Sequence, residues 1–342
     1  MNHPKSIIRV ADIPTPTAGL ALGIASLGWC WENAAPFHGY AQSTGAAIAA
    51  VLLIALLARF VFYPKTLLSD LSHHVLGSVA PTFAMATMVI SNTVSKVAPL
   101  AGETLWVAAV GIHLIFLAIF IFHQINDFSL HKMVPSWFVP PVGIIVANVS
   151  FAGTHFYTFA TLLLYFGMIA YAIMLPVMIY RFMFCNEIAD AAKPTIAIMA
   201  APASLSLAGY LSMTRTPSAL IIALLLGIAV LMTFVLYVAF TKLLRLPFSP
   251  AYASFTFPLV IGSTALYKVS AWMNTQGWQQ EIVKQVSTLA TFELYIATII
   301  VSYVAIRFML FFFPMGAIMP LFNKEHFVFK TVSTLQTRRR VA

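Results

Sequence analysis

Phe255-Thr256-Phe257-Pro258 lies inside an apolar stretch running from about Phe248 to Trp272. A proline within a membrane-crossing helix removes a backbone hydrogen bond and bends the chain. The carbonyl it frees needs another partner, which in hydrocarbon means protein or water. Two aromatic rings stand just before this weak point. Residues two apart in a helix are turned about 200° from one another, so Phe255 and Phe257 cannot both face one axis. One of them is expected to occlude a pore.

The stretch is one of ten. Working outward, apolar runs near the roughly 20 residues needed to cross hydrocarbon fall at 17–32, 45–63, 76–94, 104–123, 137–153, 158–180, 195–213, 218–240, 248–272 and 291–313. Of the 342 residues, 61% are hydrophobic and 8% charged, against roughly 25% charged in a soluble domain. The chain is therefore expected to be an all-α polytopic membrane protein. Its formal charge of +9 does not point to nucleic acid, because the basic residues are dispersed among the connections. Cys30 and Cys185 are far apart and in or beside apolar runs, which implies free thiols rather than a disulfide framework. Lys5 and Arg9 precede a short apolar core, as in a signal peptide. Trp29-Cys30-Trp31-Glu32 then stands where a small-residue cleavage site would be, so a retained first helix is expected.

Charge and proline supply the order. Fifteen of the 19 Lys and Arg fall at the N-terminus, in the even-numbered connections and in the tail. Lys96, Arg215, Lys268 and Lys284 fall on the opposite side. The positive-inside rule then puts both termini in the cytoplasm, which needs an even number of spans. Odd-numbered spans carry proline at their start or inside, and Pro16, Pro81, Pro141, Pro202 and Pro258 recur every 56 to 65 residues. The pattern predicts five tandem helical hairpins in one orientation, each a broken helix followed by an intact one. Broken helices belong where freed carbonyls meet protein or water, and intact apolar ones tolerate lipid. An inner ring of five proline-bent helices around a central pore, inside an outer ring of five, is the expected fold. The domain boundaries follow: an N-terminal segment 1–13, a ten-helix domain 14–313 and a basic tail 314–342.

Small residues accompany the prolines and leave room along the axis. The candidate pore lining is Gly19, Gly23, Pro81, Pro141, Pro202, Ser206, Pro258 and Gly262. Buried polar groups are few. His113 is expected to make a packing hydrogen bond, and Asn148 faces either the lumen or a neighbouring backbone. Arg307 is expected to reach the interface, and Glu293 to open the tenth helix, where the dipole favours a carboxylate. No inner helix has a mid-span Asp or Glu. There is no HExxH, GxSxG or phosphate-binding glycine loop, and His73-His74 cannot share a helix face. No enzyme, metal site or cofactor is expected. Arg338-Arg339-Arg340 reads as a tail contacting anionic lipid.

PTPTAGLALG (14–23), VAPTFAMATM (79–88), FVPPVG (138–143), Ala201-Pro202-Ala203, AGYLS (208–212) and Ser254 to Pro258 occur in an order that resembles the tellurite-resistance/dicarboxylate transporter family. That family includes bacterial TehA, yeast malate and sulfite transporters and the slow anion channels of plant guard cells. The resemblance implies a bacterial inner-membrane protein, a homotrimer with one pore per subunit, and a pore-occluding phenylalanine in the ninth helix. In the family that ring immediately precedes Pro or Gly, which selects Phe257 over Phe255. It also implies that a first-helix glycine packs near the ring, for which Gly19 is the match. The function so implied is passage of small anions past a Phe257 gate. The alternative is a proton-linked carrier of C4-dicarboxylate, sulfite or tellurite-related anions.

Overall fold

Proline and short 3-10 turns decide where the helices begin. The computed structural model describes residues 10–153 and 155–312. Among them are thirteen α-helices and no strand. These are α1 (Thr17–Ala34), α2 (Tyr40–Phe62), α3 (Pro64–Ser72), α4 (Leu76–Val79), α5 (Thr82–Ser95), α6 (Pro99–Asn126), α7 (Val139–Val142), α8 (Val146–Val149), α9 (Tyr157–Phe184), α10 (Ala201–Met213), α11 (Ala219–Leu243), α12 (Thr256–Thr275) and α13 (Gln280–Phe312). Helical segments occupy all ten expected stretches. The N-terminal basic residues and the whole tail 314–342, including Arg338 to Arg340, lie outside the described residues.

Six helices among the described residues are long and apolar enough to cross a membrane: α2, α6, α9, the Lys193–Met213 segment, α11 and α13. A seventh is added if Pro64–Ser72 and Leu76–Ser95, bent by 105°, count as one span. Three of the expected stretches fall short of that standard. Pro135–Val149 is short, and α1 and α12 dilute their apolar residues with glycine, serine and threonine.

The prolines sit differently from expectation. Pro16 and Pro81 cap α1 and α5, Pro140 and Pro141 lie in the single turn of α7, Pro202 is the second residue of α10 and Pro258 the third of α12. The first four amides of a helix have no intrahelical partner, so proline there sacrifices no hydrogen bond and helps the helix begin. Most of the irregularity lies ahead of the prolines, in the 3-10 segments Pro135–Phe138, Lys193–Ala200 and Pro250–Phe255, and a further 3-10 turn, Gly143–Ile145, follows Pro140 and Pro141. Where a carbonyl is exposed at a break, a neighbouring side chain meets it. His113 on α6 donates from Nε2 to the Pro140 carbonyl (2.8 Å), and Trp106 donates to the Ala147 carbonyl (3.0 Å). Asn148 donates to the Ala160 carbonyl of α9 at 2.6 Å, so its amide nitrogen bonds a neighbouring backbone.

The proline-bearing segments pack in a closed circuit, the third through α8, which follows the α7 prolines: α1 on α5, α5 on α8, α8 on α10, α10 on α12, and α12 back on α1. Each also packs on the long helix that follows it, α2, α6, α9, α11 or α13. Burial separates the two sets. Residues 201–210 of α10 and 256–263 of α12 are all buried. The long helices instead expose Ile54, Ile115, Ile169, Phe234 and Ile299, side chains suited to hydrocarbon.

Two features correct the sequence reading. α13 begins at Gln280, eleven residues before the expected start, because its polar first turns still have helical propensity. Glu293 therefore lies well inside the helix and buried, not at its opening. Arg59, within the apolar run 45–63, and Asp70, in the connection after it, form a buried ion pair (2.8 Å). The Thr15 hydroxyl donates to Asp70 (2.5 Å) and accepts from Arg59 (2.8 Å), which ties the approach to α1 onto α2 and α3. Arg307 keeps a structural place: its guanidinium stands 5.0 Å from the centre of the Phe248 ring and donates to the Tyr303 hydroxyl.

Candidate functional site

The 3-10 turn Pro250–Phe255 runs into α12 at Thr256, and this junction points the two neighbouring rings apart. Phe255 is fully buried against Phe240 (5.3 Å between centroids) and Tyr252 (4.7 Å). Phe257, 7% exposed, faces the other way and lines two cavities. The Thr256 hydroxyl between them donates to the Ala253 carbonyl (2.7 Å), with the Gly19 carbonyl of α1 at 3.1 Å. Opposite it, Gly23 has no room for a side chain, since a Cβ there would stand 2.4 Å from Thr256 Cβ.

The first cavity, about 50 Å³, is walled by the early parts of the proline-started segments. Gly19, Thr82, Val139, Pro202 and Pro258 represent the five of them. Its lining is apolar apart from the hydroxyls of Thr82 and Ser254. The helices α1, α5, α10 and α12 all begin at its wall, so the positive ends of four helix dipoles converge on it. The second cavity, also about 50 Å³, is walled by later parts of the same segments: Ser26, Trp29 and Asn33 of α1, Val89 of α5, Val146 of α8, and Ile261, Thr264 and Lys268 of α12. The two linings have only Leu205 and Phe257 in common. An apolar pair thus stands between a cavity floored by helix N-termini and one that contains an ammonium group.

Four of the candidate residues, Gly19, Pro202, Phe257 and Pro258, line the first cavity together. Gly23 is buried in the α1–α12 contact. Pro81 and Pro141 stand behind Thr82 and Val142 and are absent from both linings. Ser206 is buried with its hydroxyl unpartnered, and its neighbour Leu205 takes the cavity position. Gly262 faces away, toward Glu293, whose Oε2 would lie 2.9 Å from a Cβ at that glycine. Glu293, Gly262, Ser204 and Thr233 enclose a separate small space.

Leu205, Lys268 and Glu293 escaped the sequence reading. Leu205 looks like any core leucine. Lys268 was counted among the connection cations, but it lies on α12 in line with Phe257, Ile261 and Thr264. The intervals of four, three and four residues put all four on one helix face, a signal readable in advance. Among the described residues no group of three or more His, Cys, Asp or Glu could hold a metal.

Comparison with known proteins places the chain among membrane transporters and channels. The chain is 30% identical over 247 residues to the uncharacterized transporter MJ0762 of Methanocaldococcus jannaschii, covering 64% of this chain and 72% of that one. Against the uncharacterized transporter MJ0576 of the same organism the figures are 26%, 64% and 71%. The tellurite resistance protein TehA homolog of Haemophilus influenzae is 24% identical over 62% of this chain and 68% of its own. Residues 16–309 match the family described as SLAC1, voltage-dependent anion channel, and with that match covering most of the sequence the chain belongs to the SLAC1 family of membrane anion channels and transporters.

Proposed function

We propose that this chain is a passive conduit for small inorganic anions, with its passage closed by Phe257 against Leu205. The observation that carries this reading is the pair of cavities whose linings meet only at those two side chains. In this reading the circuit α1–α5–α8–α10–α12 is the inner ring of five hairpins. The long helices form an outer ring against lipid, giving ten spans. With both termini cytoplasmic, the first cavity opens inward, and its converging helix N-termini draw anions in without a fixed cation. The phenyl ring then excludes water and ions by filling the narrowest level. Trimeric assembly with one passage per subunit, in a bacterial inner membrane, rests on the family resemblance.

Phe257→Ala is the test. Chloride or nitrate flux into proteoliposomes, or current in bilayer recordings, should rise at least tenfold over the unmodified chain at equal protein content. Unchanged flux from a well-folded variant would refute the gate.

One observation favours a second reading, a proton-linked carrier of organic or oxyanion substrates. Glu293 is a buried carboxyl with no hydrogen-bond or ion-pair partner among the described residues, pressed against Gly262 of the helix that carries Phe257. Intramembrane carboxyls of this kind can take up and release protons in a transport cycle. Glu293→Gln separates the two: a conduit keeps its flux, whereas a carrier loses uptake driven by a pH gradient.

A further inference from the structure

We propose that Lys268 and Ser26 form an anion-binding station in the second cavity, and that it takes a single monovalent anion such as a halide or nitrate. The inference deepens the conduit reading and rests on it for the direction of travel, though binding itself can be measured without any flux.

Three observations place the station. Lys268 shares its helix face with Phe257, eleven residues earlier, which at about 1.5 Å per residue puts it ~16 Å farther along the axis. The cavity extends along α12 from one residue to the other. An ion released past the ring therefore meets this ammonium before leaving. Next, Lys268 is half-buried and has neither a carboxylate within ion-pair distance nor a hydrogen-bond acceptor among the described residues. An ammonium in a membrane helix with no counter-charge is costly unless something compensates it. A mobile anion supplies that compensation.

The third observation lies across the cavity on α1. Ser26 is buried, lines the same space, and its hydroxyl has no partner. Serines inside helices ordinarily bond a carbonyl three or four residues back, as Ser91, Ser150, Ser204 and Ser212 do here. Ser26 forgoes that bond, and its hydroxyl is buried at the cavity wall without a partner. Asn33 and Thr264 complete the polar wall, but they donate to the carbonyls of Cys30 and Val260. Lys268, Ser26 and the Trp29 indole N–H are thus left without an acceptor among the described residues. One ammonium and no second cation in the lining match one negative charge. A C4-dicarboxylate would leave its second carboxylate uncompensated.

Trp29 lines this cavity and serves as the reporter, because iodide is both a monovalent anion and a collisional quencher of indole. Purified full-length protein in detergent is titrated with sodium iodide at constant ionic strength, with Trp29→Phe used to subtract the other tryptophans. A saturable quenching component assigned to Trp29 is expected. Lys268→Gln should weaken its half-saturation by about tenfold or more, Ser26→Ala by a smaller factor, and Lys268→Arg should restore it. Chloride and nitrate should compete with iodide, and succinate should not at equal charge. Non-saturable quenching in the unmodified chain, or an unchanged half-saturation in Lys268→Gln, would overturn the station. If Lys268→Gln fails to fold, Ser26→Ala decides the matter by the same readout. Phe257→Ala flux is read separately, so failure of the gate and failure of the station give different patterns.

Discussion

Gly23→Ala tests how closely Phe257 depends on the helix in front of it. The added methyl would stand 2.4 Å from both Cβ and Oγ1 of Thr256 and 3.4 Å from the Phe257 amide nitrogen. Carbon atoms rest at about 3.5–4.0 Å, so α1 and α12 would have to part by roughly 1 Å at this level. Thr256 cannot relieve the overlap by turning its side chain, because its own Cβ is in the way. Overpacking of this kind costs about 1–3 kcal/mol. Gly19→Ala, one turn earlier on the same helix, is the internal control. Its methyl would meet Ala253 Cβ at 3.4 Å, close to ordinary contact, and should cost less than about 0.5 kcal/mol. The displaced residue adjoins Phe257, so the ring should be carried away from Leu205 and basal anion leak should rise. Thermal unfolding in detergent and flux from proteoliposomes are the two assays. Gly23→Ala should melt several degrees lower and leak more, with Gly19→Ala near the unmodified chain in both. Indistinguishable behaviour of the two variants would refute the reasoning.

Leu205→Ala should raise anion flux as Phe257→Ala does, and the double variant should add little to the larger single effect, since both residues close one level; flux measurements on all three check this. Asp70→Asn should destabilise by about 3–5 kcal/mol, because it leaves the Arg59 guanidinium buried without its counter-charge. The exposed Asp127–Lys132 pair is the contrast: its removal should change stability by less than about 1 kcal/mol, read as the difference in unfolding temperature.

Much of this could be read from the chain because proline and hydropathy are local signals. Pro16, Pro81, Pro141, Pro202 and Pro258 mark the starts of the segments that pack in a closed circuit, and His113 does meet a carbonyl beside a break. The proline mechanism was misread, since whether a proline bends a helix or begins one depends on the turn in which it falls. Register was harder. Ser206 is a candidate as a small residue near Pro202, while Leu205 holds the cavity position; a single residue rotates a helix face by about 100°, and burial on every side of α10 erases the amphipathic cue. Gly262 looked like room in a lumen and is room for Glu293 instead, a contact between residues 31 positions apart that no spacing rule encodes. Lys268 was legible from its stripe with Phe257 but was hidden by counting charges only by side.

Pro258 occupies the opening turn of α12, and from there the helix continues without interruption to Thr275. Phe257 is consequently mounted at the foot of a stiff rod, not on a hinge. On the proposed reading, joining the two cavities would take torsional swings of the Phe257 phenyl and Leu205 isobutyl groups. Such rotamer hops run from nanoseconds upward, which would make any opening at this level a rapid flicker rather than a slow rearrangement.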